Sequence, residues 1–106
     1  MARRLLVVAH APSPNTLAMR DSIAEGACDI DIQGVEVIVK APFEAGPEDV
    51  LSSNALILGT TENLGYMSGA LKDFFDRSYY HLLNKTDGFP YALYIRAGLD
   101  GTGTRR

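Results

Sequence analysis

Two spacings of apolar residues alternate along this chain. Leu5 to Ala9 is an unbroken apolar run, the pattern of a strand covered on both faces. After His10 to Asn15, the spacing predicts a helix from Thr16 to about Cys28, with Met19, Ile23 and Ala27 on one face. Val35 to Val39 reads as a second strand. Its alternation puts Val35, Val37 and Val39 on one face and Glu36 on the other, which suits a sheet edge. Gly46-Pro47-Glu48-Asp49 opens a short helix, since proline suits the first helical position and acids in the first turn complement the dipole. Asn54 precedes a third strand, Ala55 to Leu58, which Gly59 ends. From Ser68, a plausible N-cap, the spacing is helical again to about Asn84, and Leu71, Phe74, Phe75, Ser78 and Leu82 share a face. Lys72 with Asp76 and Asp73 with Arg77 stand at i,i+4 as solvated surface pairs. Gly88-Phe89-Pro90 then leads into a fourth strand, Tyr91 to Ile95.

The order βαβαβαβ predicts a parallel sheet with helices on both faces and right-handed crossovers. Ligands of such sheets bind beyond the carboxyl ends of the strands, where strand order reverses. The loops leaving the first, third and fourth strands are the polar or glycine-rich ones, and they converge there. In the first, Ser13, Asn15 and Thr16 stand at a helix N-terminus, where free amides and the dipole favour an anion such as a phosphate monoester. The plainer reading is that Asn15 or Thr16 only caps the helix. Pro12 and Pro14 remove two amide donors from any cradle, and His10 is either a further donor or an exposed strand-end residue. Between the third strand and its helix, Thr60 to Met67 carries more chemistry than a connection needs.

Composition narrows the classes. A chain of 106 residues, 46% apolar and 22% charged, supports one compact domain, residues 1–106. Its net charge of −3 argues against nucleic acid as a partner. The single cysteine, Cys28, excludes an internal disulfide and is expected to be a small buried residue without a redox role. No Cys/His cluster has metal-ligand spacing, so no metal is expected. No apolar run is long enough for a membrane span, and Arg3 to Ala9 is too short for a signal peptide, which fits a cytoplasmic protein.

The stretch Ser68-Gly69-Ala70-Leu71-Lys72-Asp73-Phe74-Phe75-Asp76-Arg77 resembles the helix start that follows the flavin-ring loop in the flavodoxin-like superfamily, particularly its NAD(P)H-dependent FMN reductase and quinone reductase branches. The resemblance extends over essentially the whole chain. It implies a flavodoxin-like three-layer sandwich with strand order 2-1-3-4. It further implies FMN as cofactor, its phosphate held by Ser13, Asn15 and Thr16 with His10 beside them. Pro14 replaces the glycine often found in that loop. The ring would be flanked by Thr61, Glu62, Asn63, Leu64, Gly65, Tyr66 and Met67, and its polar edge met by Ala97, Gly98, Asp100 and Gly101. Tyr66 either stacks on the flavin or lies against the helix as a staple, and Met67 is more often packing than chemistry. NAD(P)H as donor and a quinone or similar small molecule as acceptor follow from the resemblance, which supplies no catalytic acid or base. A flavodoxin-type electron carrier and an interaction domain without flavin are the alternatives. The family's fourth crossover helix and fifth strand have no counterpart before Arg106. The chain is thus expected to be a shortened gene product, a smaller natural variant, or a protomer of a homo-oligomer whose partner covers the fourth strand.

Overall fold

The computed structural model describes residues 3–29, 31–64, 66–83, 85 and 88–97. Strands β1 (Arg3–Ala9), β2 (Val35–Lys40), β3 (Ala55–Asn63), β4 (Tyr66–Met67) and β5 (Tyr91–Arg96) are interleaved with helices α1 (Pro14–Ala27), α2 (Pro47–Leu51) and α3 (Gly69–Leu82). The long strands pair in parallel in the order β2-β1-β3-β5, and the short β4 folds back antiparallel on the end of β3. The expected order of the four main strands is therefore observed. The register sets Leu6 beside Ile38 and Leu56, and Leu58 beside Val8 and Leu93. One face of the sheet thereby collects the core. Leu6, Val8 and Leu58 pack with Ala45, Val50, Leu71 and Phe74 beneath α2 and α3, with Ile38, Leu56 and Leu93 at the margin. Each of the valine, leucine and phenylalanine side chains contributes roughly 1.5–3 kcal/mol when fully removed from water.

The other face is covered more thinly. Val7 and Ala9 are buried there, yet α1 buries only Thr16 completely. Met19, Ile23 and Ala27 do share the inward face, but each is only half-buried. Val35 and Val39, aligned as the apolar side of β2, remain 37% and 38% exposed. Their face was legible from alternation, but their burial was not: α1 contacts β2 and still leaves both valines more than a third exposed.

Three local expectations are corrected. Gly59 does not end the third strand: β3 continues to Asn63, because Gly59 is the point where the Tyr94 ring crosses the strand rather than a turn. Cys28 is exposed, not buried. It is the C-cap of α1, and its amide bonds the Ala24 and Glu25 carbonyls at 3.0 and 3.2 Å. Arg77 is more than a solvated partner of Asp73. While its Nε bonds Asp73 Oδ2 at 2.6 Å, its Nη1 and Nη2 donate to the Ala45 and Pro42 carbonyls at 3.0 and 2.6 Å. The guanidinium fork thus ties α3 to the segment before α2. The other surface pair, Lys72 with Asp76, forms as spaced, at 2.6 Å.

A second tie holds α2 to the sheet. Asp49 Oδ1 accepts from Lys40 Nζ at 2.8 Å and Oδ2 from the Gly46 amide at 2.9 Å. Burial raises the carboxyl's pKa, but the Lys40 contact and the Gly46 hydrogen bond outweigh it, and the net shift is downward from 3.8. A carboxyl depressed in the folded state contributes stability above its unfolded pKa and loses it as pH falls through the folded value. Urea unfolding is therefore expected to show stability falling below about pH 4, with a shallower fall in Asp49→Asn. Equal slopes in the two proteins would remove Asp49 from the acid response.

Candidate functional site

Strand order reverses between β1 and β3, since the chain passes from β1 out to β2 and returns to β3 on the other side. The crevice beyond the carboxyl ends of these strands is the place a ligand finds in such a sheet. The His10 amide, first residue after β1, donates to the Gly59 carbonyl at 2.9 Å and fixes the first loop against β3.

That loop ends in a closed capping arrangement. Ser13 is the N-cap, with extended φ −137 and ψ 164. Its Oγ accepts the Thr16 amide at 3.3 Å, and its own amide donates to Thr16 Oγ1 at 2.9 Å. The two hydroxyl oxygens are 2.9 Å apart, and Thr16 Oγ1 also donates to the Ser13 carbonyl at 3.0 Å. The plainer reading of this segment is thus realised by Ser13 with Thr16 as its counterpart, and the helix starts at Pro14 rather than Thr16. Asn15 takes no part in the cap and stands exposed in the first turn, beside the positive end of the dipole. Pro14 has no amide, and the amides of Ser13 and Thr16 are engaged, so Asn15 supplies the N–H and side-chain amide not used by the cap.

On the β3 side, Thr60 organises the approach to α3. It is 2% exposed, and its Oγ1 donates to the Thr61 carbonyl at 2.8 Å, lies 3.1 Å from Ser68 Oγ, and accepts the Ser68 amide at 3.1 Å. Ser68 Oγ in turn accepts the Leu71 amide at 3.2 Å as the N-cap of α3. This buried chain of hydroxyls ties the helix start to the strand end and so fixes the hairpin between them.

The segment read as a loop is that hairpin. Glu62 faces Met67 and Asn63 faces Tyr66 across an antiparallel pair. Leu64 follows with φ 52, left-handed backbone that costs a branched side chain about 1–2 kcal/mol. Its side chain is wholly exposed at 106%, and Tyr66 is 44% exposed. A strained backbone that presents a leucine to water, near a half-exposed tyrosine, forms an apolar shelf that none of the described residues covers. Thr61 and Glu62 are half-buried, and Asn63 is exposed. Met67 packs against the core cluster, the packing role anticipated for it. Ala97, after β5, is half-buried. Gly65, Gly98, Asp100 and Gly101 lie outside the described residues.

No family model matches the chain. Among curated proteins it is similar to a flavodoxin of Aquifex aeolicus (strain VF5), 36% identical over 85 residues, which are 80% of this chain and 45% of that protein. The fold is flavodoxin-like. The chain spans about half the length of the flavodoxin it matches.

Three residues that organise this flavodoxin-like domain escaped the sequence reading. Thr60 looks like one more polar residue of a loop until β3 is seen to extend past it. Arg77 is explained by Asp73 alone at helical spacing. Tyr94 has the most unusual surroundings. Its ring lies over Gly59, and with Ala18, Met19, Ser22 and Ile23 it lines a cleft of about 340 Å³ between α1 and the sheet. Its hydroxyl has no hydrogen-bond partner among the described residues, and burial pushes its pKa up from 10.0 against the opposing influence of Arg20. Among the described residues, no group of three or more His, Cys, Asp or Glu could hold a metal ion, and no helix is long and apolar enough to cross a membrane.

Proposed function

We propose that this domain binds FMN in the crevice between the Ser13–Thr16 cap and the β3–β4 hairpin and serves as an electron carrier of the flavodoxin type. The observation that carries the reading is the 36% identity to a flavodoxin, in a chain whose strand order reverses where these two segments meet. The donor set suits the cofactor. A helix N-terminus with an exposed Asn15 favours a phosphate, and the uncovered Leu64 and Tyr66 offer apolar surface to a flat ring. His10, Ser13 and Thr16 shape the phosphate end, and Thr61, Glu62, Asn63 and Met67 carry the hairpin. Ala97 approaches from β5, with Gly65, Gly98, Asp100 and Gly101 completing the proposed set.

When bound, FMN supplies reversible electron transfer, and the protein supplies position and electrostatics. The cap loop holds the anionic end against the dipole of α1. Leu64 and Tyr66 exclude water from the ring, while the Thr60–Ser68 contact keeps their hairpin in place. Reduction by NAD(P)H and delivery to a quinone would use the same surface. The kinship with a flavodoxin favours the carrier, and the reductase rests on the resemblance of Ser68–Arg77 alone. A cytoplasmic location belongs to the same proposal.

Titration of the 106-residue protein into FMN, followed by quenching of flavin fluorescence, tests the reading, with FAD and riboflavin as controls. FMN-selective binding is expected. Asn15→Ala removes a hydrogen bond to a charged group, about 1.5–3 kcal/mol, and should weaken FMN at least tenfold while leaving riboflavin unchanged. Tyr66→Ala should weaken both. A folded protein that quenches no flavin is a scaffold without the cofactor, and rapid NADPH oxidation by the loaded protein would restore the reductase reading.

A further inference from the structure

We infer that Thr60 is a positioning residue for the flavin ring: its buried hydroxyl bridges the base of the β3–β4 hairpin and so sets where Leu64 and Tyr66 stand. The inference rests on the FMN reading above and gives the ring end of that site its anchor.

The hairpin cannot hold its own shape. Its ladder has two residue pairs, Glu62 with Met67 and Asn63 with Tyr66, and a two-stranded ribbon is marginal in water by itself. Its tip also carries strain, since Leu64 stands at φ 52 with its side chain wholly exposed. Backbone of that kind persists only where the surroundings over-determine it. Neither Leu64 nor the half-exposed Tyr66 is held by burial, so the hold comes from the base.

Two contacts act there. Met67 packs against the core, which sets the depth of the hairpin, although an unbranched, flexible side chain does little to set its direction. Thr60 supplies the direction. Continued by one step, the register that pairs Glu62 with Met67 would pair Thr61 with Ser68. The Thr60 hydroxyl stands between the polar groups of that next pair. Its Oγ1 accepts the Ser68 amide at 3.1 Å and donates to the Thr61 carbonyl at 2.8 Å. Two bonds in series thus replace one ladder bond of about 2.9 Å and hold the strands wider at the base than a direct step would. Thr60 and Ser68 are 2% and 1% exposed, and hydrogen bonds removed from water in this way hold geometry more firmly. Ser68 Oγ, 3.1 Å from Thr60 Oγ1, also caps α3 through the Leu71 amide. The splay of the hairpin is therefore referred to the helix as well as to the strand. Valine at this position would keep the shape of threonine and bond neither the Ser68 amide nor the Thr61 carbonyl.

The test reads Thr60→Val without flavin and with it. In the flavin-free protein, amide exchange at Tyr66, Met67 and Ser68 should quicken about tenfold or more, while Leu6 and Val8 of β1 keep their rates. Riboflavin, which has no phosphate, should bind about tenfold more weakly than to the wild type in fluorescence quenching. Thr60→Ser keeps the hydroxyl and should restore both. Thr60→Cys, with a weaker donor and acceptor, should give an intermediate loss and supplies the reading if Thr60→Val does not fold. Because Thr60 acts through the shelf, Thr60→Val in a Tyr66→Ala background should weaken riboflavin no more than about threefold, the non-additivity of groups that work as a unit. Unchanged exchange in the hairpin, riboflavin bound as tightly as by the wild type, or equal losses with and without Tyr66 would each overturn the proposal. A folded wild-type protein that quenches no flavin would overturn the FMN reading and this inference with it, a failure told apart by the wild type alone.

Discussion

Replacing Phe74 by alanine is expected to remove about 3–5 kcal/mol of stability, the usual cost of emptying a buried aromatic site. Phe74 is 1% exposed and the largest fully buried side chain among the described residues. It belongs to the cluster that joins α2, α3 and the sheet, with the Phe75 ring 5.6 Å away at a tilt of 52°. Neighbouring atoms cannot collapse into the space without moving α3, whose start is fixed by Ser68 and whose middle is fixed by Arg77. A domain of this size holds about 5–15 kcal/mol in total, so the variant should sit close to unfolding at room temperature. Urea denaturation gives the measurement, with Tyr80→Ala, 82% exposed, as a control expected within about 0.5 kcal/mol. A Phe74→Ala loss below that of the control would mean that α3 is not seated on the sheet as described.

Phe74 was also one of the residues most legible in the sequence, and the reason is periodicity. A long helix against a sheet writes its buried face at i, i+3, i+4 and i+7, and that stripe was read correctly from Leu71 to Leu82. The parallel pairing of the four main strands follows from the alternation of strand and helix, and their order from the resemblance to the flavodoxin-like superfamily. What was misread depends on contacts distant in sequence. Gly59 reads as punctuation because glycine usually is, whereas its reason lies in Tyr94, thirty-five positions away. The hairpin reads as a loop because a two-residue strand leaves no pattern to see.

At the candidate site the residue types were legible and their division of labour was not. The sequence sets Ser13, Asn15 and Thr16 at a helix N-terminus and offers Asn15 or Thr16 as its cap. The structure separates them, since Ser13 and Thr16 close the cap on each other while Asn15 stays in water. That division depends on Ser13 adopting extended backbone, with Pro14 fixing the first helical residue. It makes Asn15 the sensitive position for an anionic ligand and gives Ser13 and Thr16 a structural effect as well.

Gly59→Ala is expected to cost about 1–3 kcal/mol, the range for forcing an added methyl into a packed site, although alanine suits a strand better than glycine does. A β-carbon at Gly59 would collide with the Tyr94 ring at Cζ, Oη and Cε1. To admit the methyl, the ring must turn toward the cleft it shares with Ala18, Met19, Ser22 and Ile23 of α1. Gly59 also holds His10 through its carbonyl, so the cap loop feels the change. A double-mutant cycle isolates the cause. In a Tyr94→Ala background the added methyl meets open space, and the Gly59→Ala cost should fall by about 0.5–3 kcal/mol, the coupling expected of residues in contact. Tyr94→Phe supplies the complementary sign. It deletes a buried hydroxyl that has no partner among the described residues, so stability should hold or rise, where removal of a bonded hydroxyl would lower it by about 1 kcal/mol. Additive effects of Gly59→Ala and Tyr94→Ala would show that the strand tolerates a side chain at Gly59 and that Tyr94 does not set the distance between α1 and the sheet.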